Sequence, residues 1–79
     1  MKAKVYVTLK PSILDPQGKT VTQALHTLGY DGITDVRQGK FFEFDIEADS
    51  PDEARATVSE VAEHVLANPV IEIFRVEVE

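Results

Sequence analysis

The chain has 79 residues, 43% of them hydrophobic and 28% charged, with a formal net charge of −6 and no cysteine. A domain of this size buries only about 60–65% of the surface that its unfolded chain exposes. Without thiols it has neither disulfides nor thiolate metal sites to reinforce it, and self-association is the remaining route. The acidic balance argues against nucleic acid as a partner, since phosphate binding needs a basic face. No apolar run approaches the roughly 20 residues of a membrane span, and Met1-Lys2-Ala3-Lys4 leads into an alternating strand rather than a signal-peptide core, so a cytoplasmic protein is expected.

Charge is unevenly spread. Lys2, Lys4, Lys10 and Lys19 oppose only Asp15 among the first 19 residues, whereas Glu43 to Glu63 holds eight acids against Arg55. Such a dipolar surface either steers docking or simply keeps the protein in solution.

From Lys4 to Lys10, Val5, Val7 and Leu9 alternate with Lys4, Tyr6, Thr8 and Lys10, the pattern of a half-buried strand. The segment Lys10-Pro11-Ser12-Ile13-Leu14-Asp15-Pro16-Gln17-Gly18-Lys19 is a stiff polar loop with two prolines. Val21, Ala24, Leu25 and Leu28 then share one helical face, and Gly29 supplies the stop. After a turn at Tyr30-Asp31-Gly32, a short strand is expected over Ile33 to Arg37. Gly39 offers the positive φ of a tight hairpin into a second strand, where Phe42, Phe44, Ile46 and Ala48 alternate with Phe41, Glu43, Asp45 and Glu47.

Ser50-Pro51-Asp52-Glu53 is a capping box opening a helix from Pro51 to about Ala67, striped by Ala54, Val58, Val61, Ala62 and Val65 and stopped at Asn68-Pro69. In Val70 to Glu79 the apolar phase slips between Ile71/Ile73 and Phe74/Val76/Val78, which predicts a bulge near Ile73 or a strand beginning only there. The order βαββαβ predicts a single α+β domain of ferredoxin-like type: a four-stranded antiparallel sheet with two helices on one face. Its uncovered face would carry Tyr6, Thr8 and Phe41, joined by Ile71 and Ile73 from the slipped phase, and a second copy is the economical cover.

Chemistry is thin. His26 and His64 lie on separate helices without a carboxylate at metal spacing. Glu43, Asp45 and Glu47 share a strand face, which is also what alternation yields unaided. The loop lacks a phosphate-binding glycine pattern, and Pro11 and Pro16 remove two amide donors. The residues themselves suggest a small interaction module. A regulatory sensor binding a small ligand between paired domains is the competing class.

Lys4-Val5-Tyr6-Val7-Thr8-Leu9-Lys10-Pro11, Leu14-Asp15-Pro16-Gln17-Gly18-Lys19, Leu28-Gly29-Tyr30, Asp35-Val36-Arg37 with Gly39-Lys40, and Leu66-Ala67-Asn68-Pro69-Val70-Ile71-Glu72 together resemble the PurS family, the small subunit of phosphoribosylformylglycinamidine (FGAM) synthase. Ser12 and Ile73-Phe74 depart from the family's pattern. The resemblance implies a ferredoxin-like, self-associating subunit without catalytic residues. It would join a PurL-type synthetase to a PurQ-type glutaminase in purine biosynthesis, so that ammonia from glutamine reaches formylglycinamide ribonucleotide (FGAR). ATP, magnesium and glutamine would belong to the complex, with no cofactor or metal held by this chain.

On that reading Lys10, Pro11, Asp15, Pro16, Gln17, Gly18 and Lys19 present the partner-binding loop, its ordering cost already reduced by the prolines. Arg37 and Lys40 flank a protruding hairpin that pairs with partner acids. Tyr6, Phe41, Asn68, Pro69, Ile71 and Ile73 form the oligomer interface of a homodimer or homotetramer.

Overall fold

The computed structural model describes residues 1–79. Its elements are β1 (Lys2–Leu9), α1 (Pro16–Thr27), β2 (Gly39–Asp45), α2 (Pro51–Val61), a π-helical turn (Ala62–Leu66) that prolongs α2, and β3 (Glu72–Val78). β1 is the central strand of a three-stranded antiparallel sheet in the order β2-β1-β3.

Register follows from the apolar pattern. Ala3, Val5 and Val7 point to one face, where Val5 sits between Phe42 and Val76, and Ala3 between Phe44 and Val78. That face is closed by Ala54, Val58 and Ala62 of α2 and its π turn, and Val5, Val7 and Val58 are fully buried. Each such valine contributes about 1.5–3 kcal/mol by leaving water. α2 starts with the first half of its capping box, the Glu53 amide donating to the Ser50 hydroxyl at 3.1 Å, while the Glu53 carboxylate reaches one residue further back and accepts the Asp49 amide at 3.3 Å.

Three expectations are corrected. The segment Ile33 to Arg37 is not a strand, so the sheet has three strands rather than four. Its backbone is drawn to α1 instead: the Val36 amide donates to the Thr22 hydroxyl at 3.3 Å, and His26 Nε2 bonds the Ile33 carbonyl at 2.7 Å. A non-glycine residue within it, Asp35, has a φ of 61° and turns the chain out of extended geometry. Consequently there is no hairpin at Gly39. That glycine is the first residue of β2, where an added Cβ would clash with the Val7 carbonyl oxygen.

The second correction concerns α1, which does not lie on the sheet beside α2; only α2 packs there. α1 and the segment returning from it form an arm, and the protein is correspondingly long, 51 × 24 × 14 Å. The apolar stripe of α1 is left uncovered, with Leu28 73% exposed. Thirdly, of the two explanations for the phase slip the bulge is absent, whereas the strand does begin only at Glu72: its pairing with β1 runs unbroken from Leu9↔Glu72 to Ala3↔Val78. The phase slip is real but divides the two faces: Val76 and Val78 pack under α2, Phe74 shares their face but stays exposed, and Ile73 points to the open side.

Both ends of α1 are built as the local sequence dictates. Asp15 is the N-cap and Pro16 the first helical residue. At the other end Gly29 has a φ of 95°, and the Tyr30 and Gly29 amides donate back to Leu25 and His26 carbonyls at 2.9 and 3.0 Å, a Schellman closure.

Candidate functional site

The opening loop is a framed structure. Asp15 is only 5% exposed, and its carboxylate accepts the Gly18 amide at 3.0 Å and the Gln38 amide at 2.6 Å. These two amide bonds, the Gln38 one foremost, hold the carboxyl below its ordinary value, and the nearby Arg37 guanidinium adds to the effect. Gly18 is buried under the returning chain; a Cβ there would meet the Val36 carbonyl oxygen at 2.1 Å, so glycine alone fits. Arg37 completes the frame, donating to the Lys10 and Ile13 carbonyls at 3.0 and 2.8 Å. The Lys10 amide is tied in turn to Ile71 at 2.8 Å.

The residues expected to bind a partner therefore divide. Pro11, Pro16, Gln17 and Lys19 are exposed, and the ammonium groups of Lys10 and Lys19 have no partner within the chain. Asp15, Gly18 and Arg37 instead hold the loop's shape. Lys40 also turns inward, its Nζ 3.4 Å from Glu72 and 3.3 Å from the Leu66 carbonyl. It thereby braces the loop Ala67 to Ile71, where the Asn68 amide donates to Glu72 at 2.7 Å and the Asn68 side chain accepts the Val70 amide at 3.1 Å. An open depression of about 380 Å³ lies between these parts, lined by Asp15, Pro16, Gln17, Gln38, Lys40 and Glu72 among others.

Tyr6, Phe41 and Ile73 share the uncovered face of the sheet, whereas Asn68, Pro69 and Ile71 lie in the loop before β3. The Tyr6 and Phe41 rings are 5.0 Å apart, and the Arg75 guanidinium lies 4.2 Å above the Tyr6 ring. The remaining charges on this face pair among themselves, Lys4 with Glu79 at 3.0 Å, Arg75 with Glu77 at 2.6 Å, and Lys2 with Glu43 and Asp45 at 3.6 Å each. The Glu79 hydrogen bond raises the Lys4 pKa. At one end, Thr8, Phe41 and Ile73 leave an apolar area facing solvent.

Thr22, Val36 and Gln38, which together with His26 hold the arm, were not singled out by the pattern of the sequence, and His26 was weighed only as a metal ligand. Their bonds join residues far apart in the chain through backbone groups, which leave no periodicity. The free edge of β2 was equally hidden. Met1 and Ile46 exchange backbone bonds with each other, so the amides and carbonyls of Phe41, Glu43 and Asp45 face outward from the sheet.

Fold and site define a small α+β protein with a stiffened loop on a projecting arm and a sheet open on one face. Residues 2–79 match the family described as PurS, phosphoribosylformylglycinamidine (FGAM) synthase. The chain is 51% identical over 78 residues to the phosphoribosylformylglycinamidine synthase subunit PurS of Bacillus subtilis, covering 99% of this chain and 92% of that one. PurS of Methanocaldococcus jannaschii, described as one of the subunits of formylglycinamide ribonucleotide amidotransferase, superposes with a TM-score of 0.90 at 33% identity, covering 99% and 94% of the two chains. A chain in the structure of PurLQS from Thermotoga maritima superposes with a TM-score of 0.88 at 28% identity, covering 96% and 93%. The chain belongs to the PurS family.

Proposed function

We propose that this protein is the small, non-catalytic subunit of an FGAM synthase in purine biosynthesis. It joins a PurL-type synthetase to a PurQ-type glutaminase so that ammonia released from glutamine is delivered for the ATP-dependent conversion of FGAR to FGAM. The family match over almost the whole chain carries this reading, and the likeness to a chain of PurLQS supports it. ATP, magnesium and glutamine are used by the complex, and this chain binds none of them. Its contribution is a surface: Lys10, Gln17 and Lys19 displayed on a loop whose conformation Asp15, Gly18 and Arg37 fix before binding, which lowers the ordering cost of docking.

The protein acts as a homo-oligomer, a dimer or a pair of dimers. Two complementary vacancies support this: α1 carries an uncovered apolar stripe, and β2 has a free edge where a fourth strand would sit in a ferredoxin-like sheet. In the assembly the α1 stripe of a second copy lies against the uncovered end of the sheet beside that edge. Tyr6, Phe41 and Ile73 on the open face, with Asn68, Pro69 and Ile71 beside them, supply the contact between pairs.

The test is FGAM formation by purified PurL-type and PurQ-type proteins, fed glutamine or ammonium, with and without this chain, while light scattering follows complex size. Glutamine-driven turnover and a joint complex that depend on the chain, with ammonium-driven turnover little changed, are expected. Unchanged rates and sizes under all conditions would overturn the reading.

A further inference from the structure

At the tip of the arm, Tyr30 to Ile33 form a turn closed by the Ile33 amide donating to the Tyr30 carbonyl at 3.3 Å. Asp31 and Gly32 are its central residues, and both are exposed. The Asp31 carboxylate takes part in no ion pair or hydrogen bond within the chain, the Gly32 amide has no acceptor, and the space around the Gly32 Cα is open.

The other aspartates differ. Asp15 precedes proline, which has no amide proton. The amides after Asp35, Asp45 and Asp52 are held by Thr22, Met1 and Ser50 at 3.3, 2.8 and 3.1 Å. Asp49 precedes Ser50, whose side chain hinders the approach that glycine leaves free.

We propose that Asp31 is a site of isoaspartate formation, which makes the arm tip a substrate for enzymes that methylate isoaspartyl carboxylates. The Gly32 nitrogen gives up its proton and attacks the Asp31 side-chain carboxyl carbon. Its bond to oxygen breaks, one water departs, and a cyclic imide closes. Water then adds to the imide. Cleavage at the side-chain carbonyl restores aspartate, whereas cleavage at the main-chain carbonyl leaves the backbone running through Cβ, with no net change in mass.

The consequence follows from the neighbouring bonds. The rearranged turn is one methylene longer, so the Ile33 carbonyl leaves His26 and the returning segment is no longer in register with α1. Isomerisation thus unfastens the tip of the arm without altering the sheet.

The experiment ages the intact protein at neutral pH and measures methyl transfer from labelled S-adenosylmethionine by a purified isoaspartyl methyltransferase, with the modified peptide mapped by mass spectrometry. Methyl acceptance that grows with time, maps to residue 31 and coincides with loss of Asp-N cleavage there is expected. Gly32→Ala, which meets no neighbour and requires no positive φ, should fold normally and lose most of this acceptance. Acceptance absent from residue 31, no greater there than at Asp49, or unchanged in folded Gly32→Ala would overturn the proposal.

Discussion

The Asp15 carboxylate accepts the Gln38 amide at 2.6 Å across 23 residues of sequence, fastening the start of α1 to the start of β2. The same carboxylate caps α1 through Gly18, so a single side chain fixes a helix end and the loop's path. Because the folded protein holds its pKa below the unfolded value of about 3.9, the bonds stabilise the fold above that value. This contribution is lost as pH falls through the lower folded pKa. Thermal unfolding of wild type and Asp15→Asn measured from neutral pH to strong acid should therefore converge as the carboxylate is protonated. A gap of constant size would show that ionisation plays no part.

Gly18→Ala places a methyl group against the Val36 carbonyl, which has no flexible end to yield. A cost of about 1–3 kcal/mol is expected for such overpacking, and each kcal/mol lowers Tm by roughly 4–8 °C in a domain of this size. Differential scanning calorimetry reads it directly, with Gly32→Ala as the control that leaves Tm nearly unchanged.

Lys10 and Lys19 have no internal partners, so reversing them should leave the fold intact and act on docking alone. Lys10→Glu with Lys19→Glu should slow association with the synthetase–glutaminase pair by on the order of tenfold at low salt if their acids steer it. The difference should shrink as salt screens the field. Surface plasmon resonance across a salt series checks both. An unchanged association rate would remove these lysines from the docking surface.

Val21 and Leu28 face solvent in the single chain and carry the stripe assigned to a second copy. The Val21→Asp, Leu28→Asp double variant should remain helical by circular dichroism yet sediment as a monomer. Its Tm should no longer rise with protein concentration as that of an associating protein does. An oligomer of normal size would place the subunit contact elsewhere.

What could be read from the sequence depended on the range of the interaction. β1, β2 and both helices were legible because alternation, the α1 stripe, Gly29 and the Ser50 capping box act over a few residues. The segment after Gly32 was misread because its destination is decided by Thr22 and His26 on another element, and three-dimensional competition for its backbone does not register as a pattern. Sequence also named the opening loop correctly as an unusual feature, but assigned one role to all its residues. Lys10, Gln17 and Lys19 face outward, whereas Asp15, Gly18 and Arg37 build the frame, a division set by burial and by distant amides. Similarly, the phase slip at Ile73 marked a covered and an open face of one unbroken strand that begins at Glu72, rather than a bulge.

The central position of β1 has a bearing on biosynthesis. Lys2 and Glu79 exchange backbone hydrogen bonds at 3.1 and 2.9 Å, so the first strand of this domain is joined by its last. β1 can pair with β2 while the chain is still growing, but the sheet is completed only after β3 has left the ribosome. A two-stranded ribbon is at best marginally stable by itself, so the fold is secured only when β3 emerges.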